Sequence, residues 1–168
     1  NNVRQDQTQY FLTADHCLGG NNNWIFMFNY ESPGCSNQNG PTNQTVQGST
    51  LRASRATSDF ALLELTEAIP SSYNVNYAGW SAVNDTPQDP VCIHHPSGDI
   101  KKISFDYDTG ISDGWNNNDG SHWRIASWED GTTEPGSSGA PLFDDNYRIV
   151  GQLHGGQASC SFNFNDYF

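Results

Sequence analysis

Three short stretches of the chain carry side chains that could do chemistry together. In "LTADHC" an apolar run ends on His16, followed by Cys17. In "ATSDFALLEL" Asp59 stands directly before an apolar run. In "EPGSSGAP" Ser137 and Ser138 sit between two glycines and two prolines. Each has a bland reading: a structural histidine, a turn-capping aspartate, an ordinary Gly-Ser turn. Together they follow the order His, Asp, Ser, 43 and then 79 residues apart. A serine on a glycine-flanked turn can present a nucleophile while nearby amides converge on an oxyanion. A histidine can take its proton, and a buried aspartate can fix the imidazole tautomer. That order is one of the known arrangements of such a triad.

The elements that must hold these residues read as β throughout. Short apolar runs alternate with turn clusters, and long helical periodicity is absent. Strands are expected over 10–14, 24–30, 60–65, 90–95, 101–107 and 122–128, with a loop over 32–44. Residues 140–156 read as a hairpin turning at Asp144-Asp145-Asn146. The chain has 168 residues, enough for one domain or two small lobes, and 35% are hydrophobic. A net charge of −12 argues against nucleic acid as a partner. No apolar run is long enough to span a membrane, and no signal peptide opens the chain. The four cysteines contain no CxxC pair, which argues against a zinc ribbon. Their even number in an Asn- and Gly-rich chain suggests secretion and disulfides, with all three connectivities open. His94 and His95 beside Cys92 could suggest a metal, but adjacent strand residues face opposite sides, so none is expected there.

"LTADHC", "SDFALLEL" and "GSSGAP" resemble the "TAAHC", "DIALL" and "GDSGGP" boxes of trypsin-like serine proteases. "YFLTADHC", "IHHPSGDIKKIS", "TEPGSSGAPLF" and "VGQLHGG" are similar, in order, to secreted bacterial lysyl endopeptidases, and the resemblance covers nearly the whole chain. It implies an all-β, chymotrypsin-like double β-barrel, truncated at both ends, with an N-terminal barrel in 1–75 and a C-terminal barrel in 76–168. It implies a secreted, extracellular bacterial serine endopeptidase that cleaves after Lys and needs no cofactor. His16 is then the base, Asp59 its orienter and Ser138 the nucleophile, with the amides of Gly136 and Ser138 as oxyanion hole. The substrate side is implied to use Thr133, Gly155 as an edge for an extended peptide, His154 stacked with Trp115, and Asp166 at the base of a lysine pocket.

Ser137 stands where trypsin has the aspartate that binds a newly formed amino terminus. A neutral serine cannot make that ion pair, so removal of a propeptide is the expected activation route. The resemblance also implies partners upstream of residue 1 for Cys17, Cys35 and Cys160, and offers no counterpart for Cys92. Protein or peptide substrates and a monomer are expected. The alternatives are a catalytically silent binding protein on the same fold, or an active protease of different specificity.

Overall fold

The computed structural model describes residues 8–19 and 23–168. In chain order its strands are β1 (Tyr10–Ala14), β2 (Ile25–Met27), β3 (Thr45–Gln47), β4 (Ser49–Arg55), β5 (Phe60–Leu65), β6 (Gly79–Trp80) and β7 (Val91–His94). There follow β8 (Lys102–Phe105), β9 (Ile111–Asp113), β10 (His122–Ser127), β11 (Pro141–Phe143), β12 (Arg148–Gln152), β13 (Gly155–Gly156) and β14 (Phe164–Tyr167). Only short 3₁₀ turns interrupt them, and no α-helix occurs among the described residues. The expected all-β class is therefore observed. The sheets stay open, and none closes into a barrel.

Two sheets come from the first part of the chain, β1-β5-β4 and β2-β3. Two come from the remainder, β6-β12-β11-β7-β8 and β13-β14-β10-β9. All pairings are antiparallel except that of β6 with β12. β5 shows why the first pair of sheets packs. Its period-2 pattern buries Ala61, Leu63 and Leu65, and the two leucines join a cluster with Phe26 and Val46. A separate cluster of Cys92, Ile125, Trp128, Leu142, Leu153, Ala158 and Phe168 underlies the later strands.

β1, β5 and the loop over 32–44 run as the sequence predicts. The strand expected over 24–30 is only three residues long. Asn29 adopts φ 55°, a left-handed turn conformation open to asparagine, and ends it. β4 carries no alternation because six of its seven residues are exposed, so its sequence gives no strand signal. It lies at a sheet edge and carries Arg52 and Arg55, charges that discourage pairing with another chain. The hairpin expected over 140–156 ends at Gln152, and Gly155–Gly156 crosses to pair with β14 in the neighbouring sheet.

The four cysteines form no disulfide with one another. Cys92 is fully buried in the apolar cluster, and burial pushes its thiol pKa up. Both lysines are held in structure. Lys101 donates its N–H to Tyr30 O at 3.0 Å and pairs with Glu31. Lys102 lies in β8 opposite His94, and its Nζ donates to Asn37 Oδ1 at 2.6 Å.

Asp106, just after β8, is buried, and its Oδ1 accepts the Asp108 N–H at 2.8 Å. Burial, with nearby Glu129 and Asp108 adding negative charge, pushes its pKa up to about 6. An unfolded aspartate titrates near ~3.9. The folded protein therefore binds more protons between these values, and the group costs stability as pH rises through them. Asp106→Asn is expected to stabilise the protein by about 2 kcal/mol at pH 8, with no gain at pH 4. Urea unfolding of both proteins at the two pH values checks this, and an equal difference at both would refute it.

Candidate active site

The end of one antiparallel strand pair brings His16 and Asp59 together. β1 runs into the 3₁₀ turn Asp15–Cys17, while Asp59 immediately precedes β5, and Ala14 pairs with Phe60. The two side chains, far apart in sequence, thus leave the sheet side by side. Asp59 sits at φ 51°, a left-handed conformation that aspartate tolerates, and is buried. Its carbonyl accepts the Asp15 N–H at 2.7 Å. Oδ1 accepts the His16 backbone N–H at 2.8 Å, and Oδ2 lies 2.6 Å from His16 Nδ1. A carboxylate accepting at Nδ1 leaves the lone pair on Nε2, the tautomer a general base needs. His16 itself is half exposed on the cleft side.

The serine turn packs against the same end of β1. Gly136 and Gly139 have φ values of 97° and 81°. At Gly139 a β-carbon would lie 2.5 Å from Thr13 Oγ1 and 2.9 Å from the Ala14 N, so only glycine admits this approach. The turn is braced by Gly139 N–H to Leu153 O at 2.7 Å and Ala140 N–H to Ser137 O at 3.0 Å. Gln152 Nε2 donates to Ser58 O at 2.9 Å, tying β12 to the residue before Asp59. The amides of Gly136 and Ser138 donate to no acceptor among the described residues. Ser138 Oγ likewise makes no hydrogen bond to His16; such contacts often tighten only when substrate binds.

Ser137 is buried, and its Oγ lies 2.9 Å from His94 Nδ1 and accepts the Glu134 N–H at 3.4 Å. His94 Nε2 lies 3.0 Å from Ser104 Oγ. Burial, aided by the charge of His95, lowers the His94 pKa to about 4 against an opposing pull from Glu134.

Behind Asp59 lies an aromatic stack. Trp115 stacks on His154 with ring centroids 3.9 Å apart, and His154 Nε2 lies 3.9 Å from Asp59 Oδ2. His154 Nδ1 is 3.0 Å from His122 Nε2, and His122 Nδ1 is 2.7 Å from Ser121 Oγ. Burial lowers the pKa of both histidines; their proximity adds to this at His122, while Asp59 opposes it at His154. At Gly155, next along the chain, a β-carbon would lie 3.4 Å from Trp115 Cη2. His16, Asp59 and His154 also present donor atoms close enough together to share a metal ion.

Asp166 is buried on β14, with Oδ2 accepting from Trp128 Nε1 at 2.8 Å and from Thr133 Oγ1. Burial raises its pKa, against the lowering effect of those hydrogen bonds. Opposite it stands Gly156, where a β-carbon would lie 2.2 Å from Asp166 Oδ1.

The family model of the lysyl endopeptidase C-terminal domain matches residues 1–168. The chain belongs to this family. It is 30% identical to the lysyl endopeptidase of Pseudomonas aeruginosa, over all of its own length but 39% of that relative's. In fold it is similar to the Rv3671c protease in its inactive form, with a TM-score of 0.59 and 16% identity over 95% of this chain and 72% of that one. The active form of the same M. tuberculosis protease gives a TM-score of 0.57 over 95% and 63%. The fold is thus that of the trypsin-like, chymotrypsin-fold proteases.

Within this lysyl endopeptidase domain, the structure brings His16 to Asp59, Trp115 to His154, and Thr133 to Asp166. It also contains partners that sequence reasoning missed: His94 behind Ser137, His122 behind His154, and Trp128 beside Asp166. The alternation of "HWRIASW" marked a strand, yet which of its side chains meets His154 depends on a neighbouring strand contributed from elsewhere in the chain.

Gly139→Ala is expected to drive the serine turn away from β1 while the two apolar clusters stay intact. A fluorophosphonate probe should then label the variant at least ~100-fold more slowly than the parent, the loss typical of a misplaced reacting group. Labelling at the parent rate would show that the turn tolerates the added carbon.

Proposed function

We propose that the chain carries the catalytic machinery of a serine endopeptidase that hydrolyses peptide bonds after lysine. The observation that carries this reading is the Asp59 carboxylate, which engages both the backbone and the ring of His16. In the proposed mechanism, Nε2 of His16 takes the proton of Ser138 Oγ as that oxygen attacks the scissile carbonyl. The amides of Gly136 and Ser138 stabilise the resulting oxyanion. The imidazolium, held by Asp59, then protonates the leaving amine, and water resolves the acyl-enzyme by the same steps in reverse. His16 and Asp59 come from the proposed N-terminal lobe, 1–75, and Ser138 from the proposed C-terminal lobe, 76–168.

An extended substrate would lie along Gly155, adding a strand to the β13 edge. Asp166 would receive the lysine ammonium. Its burial supports that role, because a desolvated carboxylate gains more from a cation than an exposed one does. Thr133 and Trp128 would hold it in position. Trp115 and His154 would form the wall between this pocket and the triad. We further infer a secreted, extracellular monomer acting on protein or peptide substrates, with Cys17, Cys35 and Cys160 bridged to other parts of the full-length protein.

The test uses that full-length protein. Ser138→Ala is expected to abolish both peptide hydrolysis and labelling by a fluorophosphonate. An unlabelled parent would instead favour a silent binding module. Across Lys, Arg, Glu and Phe substrates, the parent should prefer Lys. Asp166→Asn should lower kcat/KM for Lys by roughly 100-fold or more while sparing Phe, since a buried charge partner is lost. A parent preference for Glu or Phe would overturn the lysine assignment and leave the protease reading standing.

A further inference from the structure

We propose that His94 is a positioning residue that latches the nucleophile turn through Ser137, supplying with a neutral hydrogen bond the hold that Ser137 cannot provide as an ion. The inference rests on the protease reading above. Ser137 directly precedes Ser138 and is buried, so its side chain points into the protein while the turn bends around it. Its Oγ meets His94 Nδ1 at 2.9 Å, and no charged group contacts that oxygen. His94 is itself buried at the end of β7 and clamped on its far side by Ser104 of β8 at 3.0 Å. The imidazole thus spans from the sheet to the turn, with both ring nitrogens engaged.

Hydrogen-bond donors and acceptors decide which way this latch runs. Ser137 Oγ accepts the Glu134 N–H, and among the described residues His94 Nδ1 is the acceptor within reach of its own proton. That leaves the ring N–H on Nε2, donated to Ser104 Oγ. A neutral ring bonds both serines, one through each nitrogen, and burial keeps it neutral. His95, just past the end of β7, cannot substitute: it is exposed, and its Nδ1 meets Asp99 O. A second brace, Ser97 N–H to Pro135 O at 2.8 Å, joins the loop after β7 to the same turn. The segment 94–97 therefore grips the turn at Pro135 and Ser137. What it fixes is the direction of the Gly136 and Ser138 amides, which find no acceptor among the described residues.

Two variants separate this role from a purely structural one. In His94→Asn, an amide oxygen replaces Nδ1 and can still accept from Ser137. In His94→Gln, the longer amide reaches toward Ser104 and leaves Ser137 without its acceptor. Each is made in the full-length protein, checked for folding by its Tm, and normalised by active-site titration. His94→Gln is expected to lower kcat about 10- to 100-fold with KM changed less than about threefold, as for a mis-set oxyanion donor. Its affinity for a lysine boronate, which forms a tetrahedral adduct, should fall by a similar factor, while binding of a product peptide does not. His94→Asn should recover most of the loss. If both variants match the parent, or lose boronate and product binding equally, the latch is refuted. If the parent itself is neither labelled by a fluorophosphonate nor active, it is the protease reading that fails instead.

Discussion

The carboxylate of Asp59 is a buried charge, and a buried charge must be satisfied by donors that the fold brings to it. Here those donors are the backbone and ring of His16, a residue 43 positions away. They meet because β1 and β5 are antiparallel neighbours whose pairing ends at Ala14 and Phe60. A one-residue slip in that register would expose the apolar face of β5 and carry Asp59 off the His16 amide at the same moment. Packing of the first cluster and geometry of the candidate base are therefore set by one strand pair.

The serine turn is referred to the same point. Its glycine rests on Thr13 and Ala14, the residues that lead into His16. Gln152 reaches back to the carbonyl before Asp59. His154 approaches that carboxylate beside His16, their ring centroids 6.0 Å apart, with Trp115 and His122 fixing its own ring. Each contact is short-range, yet each joins segments from distant parts of the chain, so the cleft is assembled by strand ends.

Legibility in the sequence follows from this. β5 could be read because its burial follows a period of two, β1 because it is a short apolar run, and His16 and Asp59 could be read because they flank the ends of those runs. Position 138, on a turn between glycines, was marked for the same reason. β4 could not be read, since its polar surface leaves no pattern. His94 drew notice only beside Cys92, as a metal ligand not expected there, and His122 only as part of a strand. Their meaning lies in Ser137 and His154, which only tertiary contact supplies. The course of residues 153–156 was missed because the sequence from β12 through Leu153 and His154 carries no turn signal to show that Gly155 and Gly156 belong to a different sheet.

On the proposed lysine specificity, Lys101 and Lys102 bear on how the protein would survive its own concentration. An endopeptidase directed at lysine is surrounded, in any stored or secreted pool, by copies of itself. For a lysine to be attacked, the residues around it must straighten into a neighbour's cleft and release their side chain. Here the amide of Lys101 is bonded to Tyr30, its side chain is paired with Glu31, and Lys102 is locked in a ladder opposite His94. Autolysis at either bond would first require β8 to peel away from β7, which carries the Ser137 partner. On the proposed specificity, cleavage at these two lysines is open to copies whose nucleophile turn has already lost its support, and closed to copies in which β7 and β8 stay paired.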